Sequence, residues 1–130
     1  MGRDDRWTLS AGGNYDQEAN AAFNPDNGTL KSAQWYGLTG NLFYDLDPKV
    51  RLGLRAEWLR DNDGTRTAIF GRPGYRASFY DLTLGATIRA RSRLRVRPEL
   101  RFDWSPQARA FDAQTKNSQV TPAFDVLWEF

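Results

Sequence analysis

Cysteine and histidine are both absent from the 130 residues. The first absence removes disulfides, thiolate nucleophiles and soft metal ligands. The second removes the commonest general base, so neither a Ser-His-Asp nor a Cys-His arrangement can be assembled. Long apolar runs are missing too. None approaches the roughly 18 residues of a membrane helix, and mean hydropathy is −0.68. Met1-Gly2-Arg3-Asp4-Asp5 has no apolar stretch of the signal-peptide kind, so any export signal is expected to have been removed or replaced. Nor is there a large excess of either charge. Eighteen basic residues face 16 acidic ones, for a net charge of +2. That balance argues against a nucleic-acid binder, which would use a clear basic excess.

What the chain does have is alternation. Six segments of about ten residues each place apolar and polar side chains in strict turn, the period of a β-strand. From Trp7 to Asp16, the residues Trp7, Leu9, Ala11, Gly13 and Tyr15 share one face. From Gln34 to Leu46 the apolar set is Tyr36, Leu38, Gly40, Leu42 and Tyr44, against Trp35, Thr39, Asn41 and Asp45. From Val50 to Arg60, Val50, Leu52, Leu54, Ala56 and Trp58 oppose Arg51, Arg55 and Glu57. From Phe79 to Ala90, Tyr80, Leu82, Leu84, Ala86 and Ile88 oppose Asp81, Thr83, Thr87 and Arg89. From Leu94 to Trp104, Leu94, Val96, Leu100, Phe102 and Trp104 oppose Arg95, Arg97, Glu99, Arg101 and Asp103. The last segment carries Val120, Pro122, Phe124, Val126, Trp128 and Phe130 on its apolar face, and Gln119, Thr121, Asp125 and Glu129 on the other. No segment shows the three-and-four spacing of a helix.

The predicted fold is therefore all-β, an antiparallel up-and-down transmembrane β-barrel. Nine to eleven residues at a tilt of roughly 45° cross a bilayer core, and only alternate residues need to be apolar, which is why the mean hydropathy stays low. Aromatics near the segment ends, Trp7, Tyr15, Tyr36, Tyr44, Trp58, Tyr80, Trp104, Trp128 and Phe130, suit the two membrane interfaces, where a half-wet ring is stable. Connections should alternate in length. Residues 17–33, 61–78 and 105–117 read as long loops, whereas Asp47-Pro48-Lys49 and Arg91-Ser92-Arg93 read as tight turns. In that rhythm both termini lie on the short-turn, periplasmic side. Pro98 and Pro122 donate no ladder hydrogen bond, so each predicts an edge, a bulge or a strand end. A soluble barrel or sandwich with its apolar faces inward is the alternative that strand pattern alone leaves open.

The end of the chain carries a resemblance. Phe124, Val126, Trp128 and Phe130, in Phe124-Asp125-Val126-Leu127-Trp128-Glu129-Phe130, are similar to the terminal insertion signal of bacterial outer-membrane barrels, with Asp125 where glycine is usual. Tyr80-Asp81-Leu82-Thr83-Leu84-Gly85-Ala86 and the run from Leu94 through Arg97-Pro98-Glu99-Leu100-Arg101-Phe102-Asp103 to Trp104 resemble the C-terminal strands of the second β-barrel porin family. Arg55-Ala56-Glu57-Trp58, Arg60-Asp61 and Asp63-Gly64 fit the same pattern. Over residues 33–130 the resemblance implies a bacterial outer-membrane pore, with lipid and the outer-membrane insertion machinery as partners. Members of that family are normally longer than this chain.

Six strands spaced ~4.8 Å apart at a tilt near 40° would enclose a backbone radius of only about 6 Å, too narrow for arginines inside. The expectation is a single domain over 1–130 that is one barrel, or the C-terminal portion of a larger barrel. Further strands or a homo-oligomer would complete the wall, because open edges demand a partner. The residues expected to line a pore for small polar or anionic solutes are Arg51, Arg55, Glu57, Asp81, Arg89, Arg95, Arg97, Glu99, Arg101 and Asp103. Cross-strand pairs such as Arg55 or Glu57 with Asp81 and Arg89 would hold them in place. A structural or adhesive barrel without transport and a soluble β-barrel binding module are the alternatives.

No cofactor, metal site or catalytic residue is expected. Glu57 and Glu99 are the one conceivable acid pair, with no spacing to support it. Asp61-Asn62-Asp63-Gly64 lacks the downstream glutamate of a calcium loop and reads as a turn, as does Asp26-Asn27-Gly28. Arg91-Ser92-Arg93 reads as a solvated turn or a headgroup contact.

Overall fold

A computed structural model describes residues 5–24, 26–65 and 76–130. Six strands, β1 (Trp7–Phe23), β2 (Leu30–Asp47), β3 (Val50–Asp61), β4 (Ala77–Arg91), β5 (Leu94–Trp104) and β6 (Ser118–Trp128), form one antiparallel meander in the order β1-β2-β3-β4-β5-β6. Among the described residues there is no helix. The sheet does not close: β1 and β6 are its two edges and do not pair with each other. This is the outcome the radius argument requires of six strands carrying large inward side chains.

Register keeps the two faces separate along each ladder, up to the one-residue shifts beside the two tight turns, between Asp45 and Asp47 and between Arg89 and Arg91. Trp7 stands opposite Tyr44, Leu42 opposite Leu54, Leu54 opposite Leu84, Leu84 opposite Leu100, and Leu100 opposite Pro122. A slip of one residue would put every leucine among the arginines, so the alternation itself enforces the pairing. Two tight turns lock it. Asp47 accepts the backbone N–H groups of Lys49 and Val50 at 2.7 and 2.9 Å, an Asx-type turn that holds β2 to β3. The strand count brings the starts of β1, β3 and β5 and the ends of β2, β4 and β6 to one end of the sheet, the turn end. The start of β1 and the end of β6 are both there.

The first hairpin departs from expectation. Residues 17–33 form no long loop; β1 and β2 run on to Phe23 and Leu30, and only 24–29 turn the chain. The register shifts between Glu18 and Ala22, with Asn20 in the left-handed region at φ 55°, and the ladder resumes at Ala22 opposite Lys31. A bulge absorbs the irregularity, and asparagine tolerates that conformation better than most residues. These residues look unlike a spanning strand because they lie beyond the apolar band, where pairing needs only backbone hydrogen bonds. Asp26-Asn27-Gly28 is the turn expected, with Gly28 at φ 68° and the Asn27 carboxamide accepting from Thr29 N–H at 3.1 Å. The connection after β5 is long, as read; residues 66–75 of the connection after β3 lie outside the described residues.

The prolines divide. Pro122 sits on edge strand β6, as a proline should. Pro98 lies within the inner strand β5, neither at an edge nor at a strand end. There the ladder to β4 is interrupted between Gly85–Glu99 and Ile88–Val96 without a change of register, so the missing donor costs a gap rather than a bulge.

Burial is concentrated at the loop end. Ala22, Ala33 and Trp35 form a small apolar cluster, and Ala77, Ala108 and Ser105 are buried nearby in sequence terms at the ends of β4 and β5. The buried Asp61 carboxylate accepts the backbone N–H groups of Asp63, Gly64 and Thr65 at 3.1, 2.8 and 3.3 Å, so Asp61-Asn62-Asp63-Gly64 is a turn organised by its own first residue. Asp63 in turn binds Lys31 at 2.7 Å and accepts Gln34 N–H at 3.0 Å, tying this turn to β2.

Candidate functional site

The two faces of the sheet are buried in the reverse of the usual order. On the polar face Asp81, Thr83 and Asp103 are 5%, 7% and 6% exposed, while on the apolar face Leu38, Leu84 and Phe124 are 59%, 55% and 75% exposed. A soluble sandwich would bury the leucines and wet the aspartates. This sheet curls round its charges: one cavity over the polar face is lined from four successive strands, by Asn41 and Phe43 of β2, Arg51 and Arg55 of β3, Thr83 of β4 and Arg97 and Glu99 of β5.

Register arranges these side chains in cross-strand rows. Nearest the loop end, Glu57, Asp81 and Asp103 stand directly opposite one another on β3, β4 and β5. Three carboxylates side by side repel. The next row towards the turn end supplies the counter-charge, as Arg55, Thr83 and Arg101. Arg101 Nε lies 2.7 Å from Asp81 and its Nη2 lies 2.7 Å from Asp103. The Thr83 hydroxyl donates to Asp81 at 3.0 Å and the Gln119 amide to Asp103 at 3.2 Å. Arg55 is held more loosely, 3.8 Å from both Glu57 and Asp81, and its buried Nε has no hydrogen-bond partner among the described residues.

Below this belt the wall is recessed. Gly53 and Gly85 face each other, and the Phe43 ring lies across Gly53, so a methyl on that glycine would stand 3.2 Å from Phe43 Cε1. Phe43 is an aromatic out of phase, on the charged face, and sequence reasoning passed over it. Its signal was the mismatch itself, an aromatic in a polar position whose opposite residue is glycine. Arg51 extends from the next row with its guanidinium carbon 5.9 Å from the centre of the Phe43 ring.

Towards the turn end the arginines take partners from neighbouring strands. Arg51 binds Asp45 through Nε at 2.6 Å and Nη2 at 2.7 Å, and Arg97 binds Asp125 through Nε at 2.8 Å and Nη2 at 2.5 Å, both bidentate and both directly opposite in register. Arg95 pairs with Glu129. All ten residues expected to line a pore thus project from one face. Of the expected pairs, Arg55 with Asp81 forms; Glu57 with Arg89 does not, because Arg89 lies rows away, opposite Arg95. Nor do Glu57 and Glu99 meet, since the Arg55–Thr83–Arg101 row stands between theirs.

The aromatics of the outer face form two groups. At the loop end Tyr36 and Trp58 meet edge to face at 5.5 Å, and Tyr80 and Trp104 stack at 5.2 Å, with Tyr15 opposite Tyr36. At the turn end Trp7 and Tyr44 contact at 4.5 Å, and Trp128 is opposite Leu94. Tyr36 and Tyr44 are ~26 Å apart along β2 at ~3.3 Å per residue, which matches an apolar band of about 25 Å. Phe130 extends past the end of β6 and is fully exposed.

An antiparallel meander that turns its charges inward and its leucines and aromatics outward is the wall of a porin-like β-barrel. Residues 3–130 match the family model described as "Putative beta-barrel porin-2, OmpL-like", and the chain belongs to that family. No curated protein and no solved structure matches the chain significantly. The family is porin-like, a class that is generally not enzymatic.

Proposed function

We propose that this chain forms part of the wall of a passive pore for small polar solutes in a bacterial outer membrane, with no catalytic activity of its own. The reading is carried by the inverted burial, with carboxylates and guanidiniums inside and leucines outside. In lipid that arrangement leaves no charge facing hydrocarbon and places the aromatic groups at the two interfaces. Arg51, Arg55, Glu57, Asp81, Arg89, Arg95, Arg97, Glu99, Arg101 and Asp103 then line the lumen. The free edges of β1 and β6 require further strands, supplied by a second copy or by a longer chain, before the pore closes.

Paired charges have a function in such a lumen. A free arginine on a long stem sweeps the passage, whereas one bound bidentately to an opposite aspartate is fixed against the wall. Solutes meet a wall of fixed dipoles, and selectivity follows whichever charges stay uncompensated. The apolar face contacts lipid acyl chains, and the terminal Phe124, Val126, Trp128 and Phe130 present the signal to the insertion machinery.

Refolding into detergent micelles, then light scattering for the protein mass of the particle and bilayer recording, tests the reading. Stepwise ohmic conductance is the expected result. A chain that stays folded, monomeric and soluble without detergent overturns it.

A further inference from the structure

Two arginines at the turn end of the polar face are unequally neutralised. Arg89 on β4 and Arg95 on β5 are directly opposite in register. Like charges in that position oppose the pairing unless something negative stands beside them. Arg95 has Glu129, which is pinned there by its own backbone N–H to Arg93 O at 2.9 Å. Arg89 has no carboxylate partner among the described residues.

The nearby acids are engaged elsewhere. Asp45 and Asp125 are each held by both donors of their own arginine, and Asp47 accepts two backbone N–H groups of its turn. Arg89 and Lys49 therefore remain in excess among the described residues, and both line a cavity of about 370 Å³ together with Arg95, Thr87 and the engaged Asp45 and Asp47.

We propose that Arg89 and Arg95, with Lys49 at the rim, form a binding subsite for a phosphate-type oxyanion at the turn-end mouth. A tetrahedral phosphate offers enough oxygens to accept from both planar guanidinium forks at once, and it supplies the negative charge that the opposed pair lacks. Glu129 competes for Arg95 and sets how tightly the anion is held. The same chemistry is offered by a free phosphorylated solute and by a phospholipid headgroup. This inference rests on the pore reading for its place in a lumen, but not for the binding itself.

The test is calorimetric titration of the detergent-refolded chain with inorganic phosphate. Saturable binding is expected. Arg89→Gln should weaken it about tenfold, the effect of losing one charge-assisted contact of this kind. Glu129→Gln should tighten it several-fold by freeing Arg95, an outcome that a misfolded variant cannot imitate. Absence of binding in the unaltered chain, or Glu129→Gln binding no more tightly, overturns the proposal. Repeating the titration in micelles doped with phosphatidylglycerol separates the sources: competition identifies a headgroup site, and unchanged affinity a site for free solute. Bilayer recordings on the same preparation keep the two readings apart. Phosphate binding without conductance removes the pore and leaves the site; conductance without phosphate binding removes the site alone.

Discussion

Asp81 and Asp103 stand directly opposite each other on β4 and β5, and Arg101 reaches both carboxylates at 2.7 Å. Without the guanidinium, two aspartates on the most buried part of the polar face would repel at the separation of a cross-strand pair. The pairing of β4 with β5 at this level thus depends on a side chain two residues away along β5.

Arg101→Gln is expected to destabilise the folded state by about 1–3 kcal/mol, less than for a fully buried pair because the guanidinium is partly exposed. Adding Asp103→Asn should restore most of the loss, since the repulsion disappears with one of the charges. Urea unfolding in lipid vesicles, followed by tryptophan fluorescence, measures both, and the double-mutant cycle isolates the coupling. Additive losses in the double variant would show that Arg101 acts by packing alone.

How much of this was legible in the sequence differs between face and partner. The inward positions of Arg51, Arg55, Arg89, Arg95, Arg97 and Arg101 follow from period two alone, and the bounds of β5 follow from Leu94 and Trp104, which end an alternation between turn signals. Partners depend on register, and register depends on the turn. Opposing Arg89 to Arg95 follows from the short Arg91-Ser92-Arg93 connection, but nothing local says that Glu129 will reach back to Arg95 from the far side of β5. The extension of β1 to Phe23 was hidden for another reason: above the apolar band a paired strand needs no hydrophobic side chains, so its composition resembles a loop.

Phe43 and Gly53 offer a packing test on the same face. A methyl on Gly53 would lie 3.2–3.3 Å from two carbons of the Phe43 ring, so Gly53→Ala must displace the ring. A loss of about 1 kcal/mol is expected in the native background. With Phe43→Ala already in place the same substitution should be neutral or stabilising, because glycine is a poor strand residue once no ring covers it. Equal losses in the two backgrounds, read by the same unfolding assay, would mean that the ring does not occupy this recess.

Asp61 organises the turn after β3 by accepting three backbone N–H groups, and Asp63 ties that turn to β2. Asp61→Ala leaves these donors without their acceptor at a buried position, which should cost about 1–3 kcal/mol. Asp61→Asn keeps one carboxamide oxygen and should recover part of it. Hydrogen exchange at the amides of Asp63, Gly64 and Thr65 reads the effect locally: acceleration is expected there before any change in β5 or β6.

The five tryptophans give the sharpest test of which face meets lipid. Trp58 and Trp104 belong to the loop-end aromatic group on the outer face, Trp7 and Trp128 to the turn-end group, and Trp35 is buried on the opposite, polar face beside Ala22 and Ala33. Single-tryptophan variants in vesicles of brominated phosphatidylcholine should therefore fall into two classes. The four outer residues should be quenched, most strongly by bromines placed near the headgroup, because interfacial rings sit at that depth. Trp35 should resist quenching at every depth. If the charged face instead met the bilayer, Trp35 would be quenched and the other four protected; a chain that stayed out of the membrane would leave all five unresponsive to lipid. Quenching of Trp58 and Trp104 with protection of Trp35 follows only when the charged face is turned away from the bilayer.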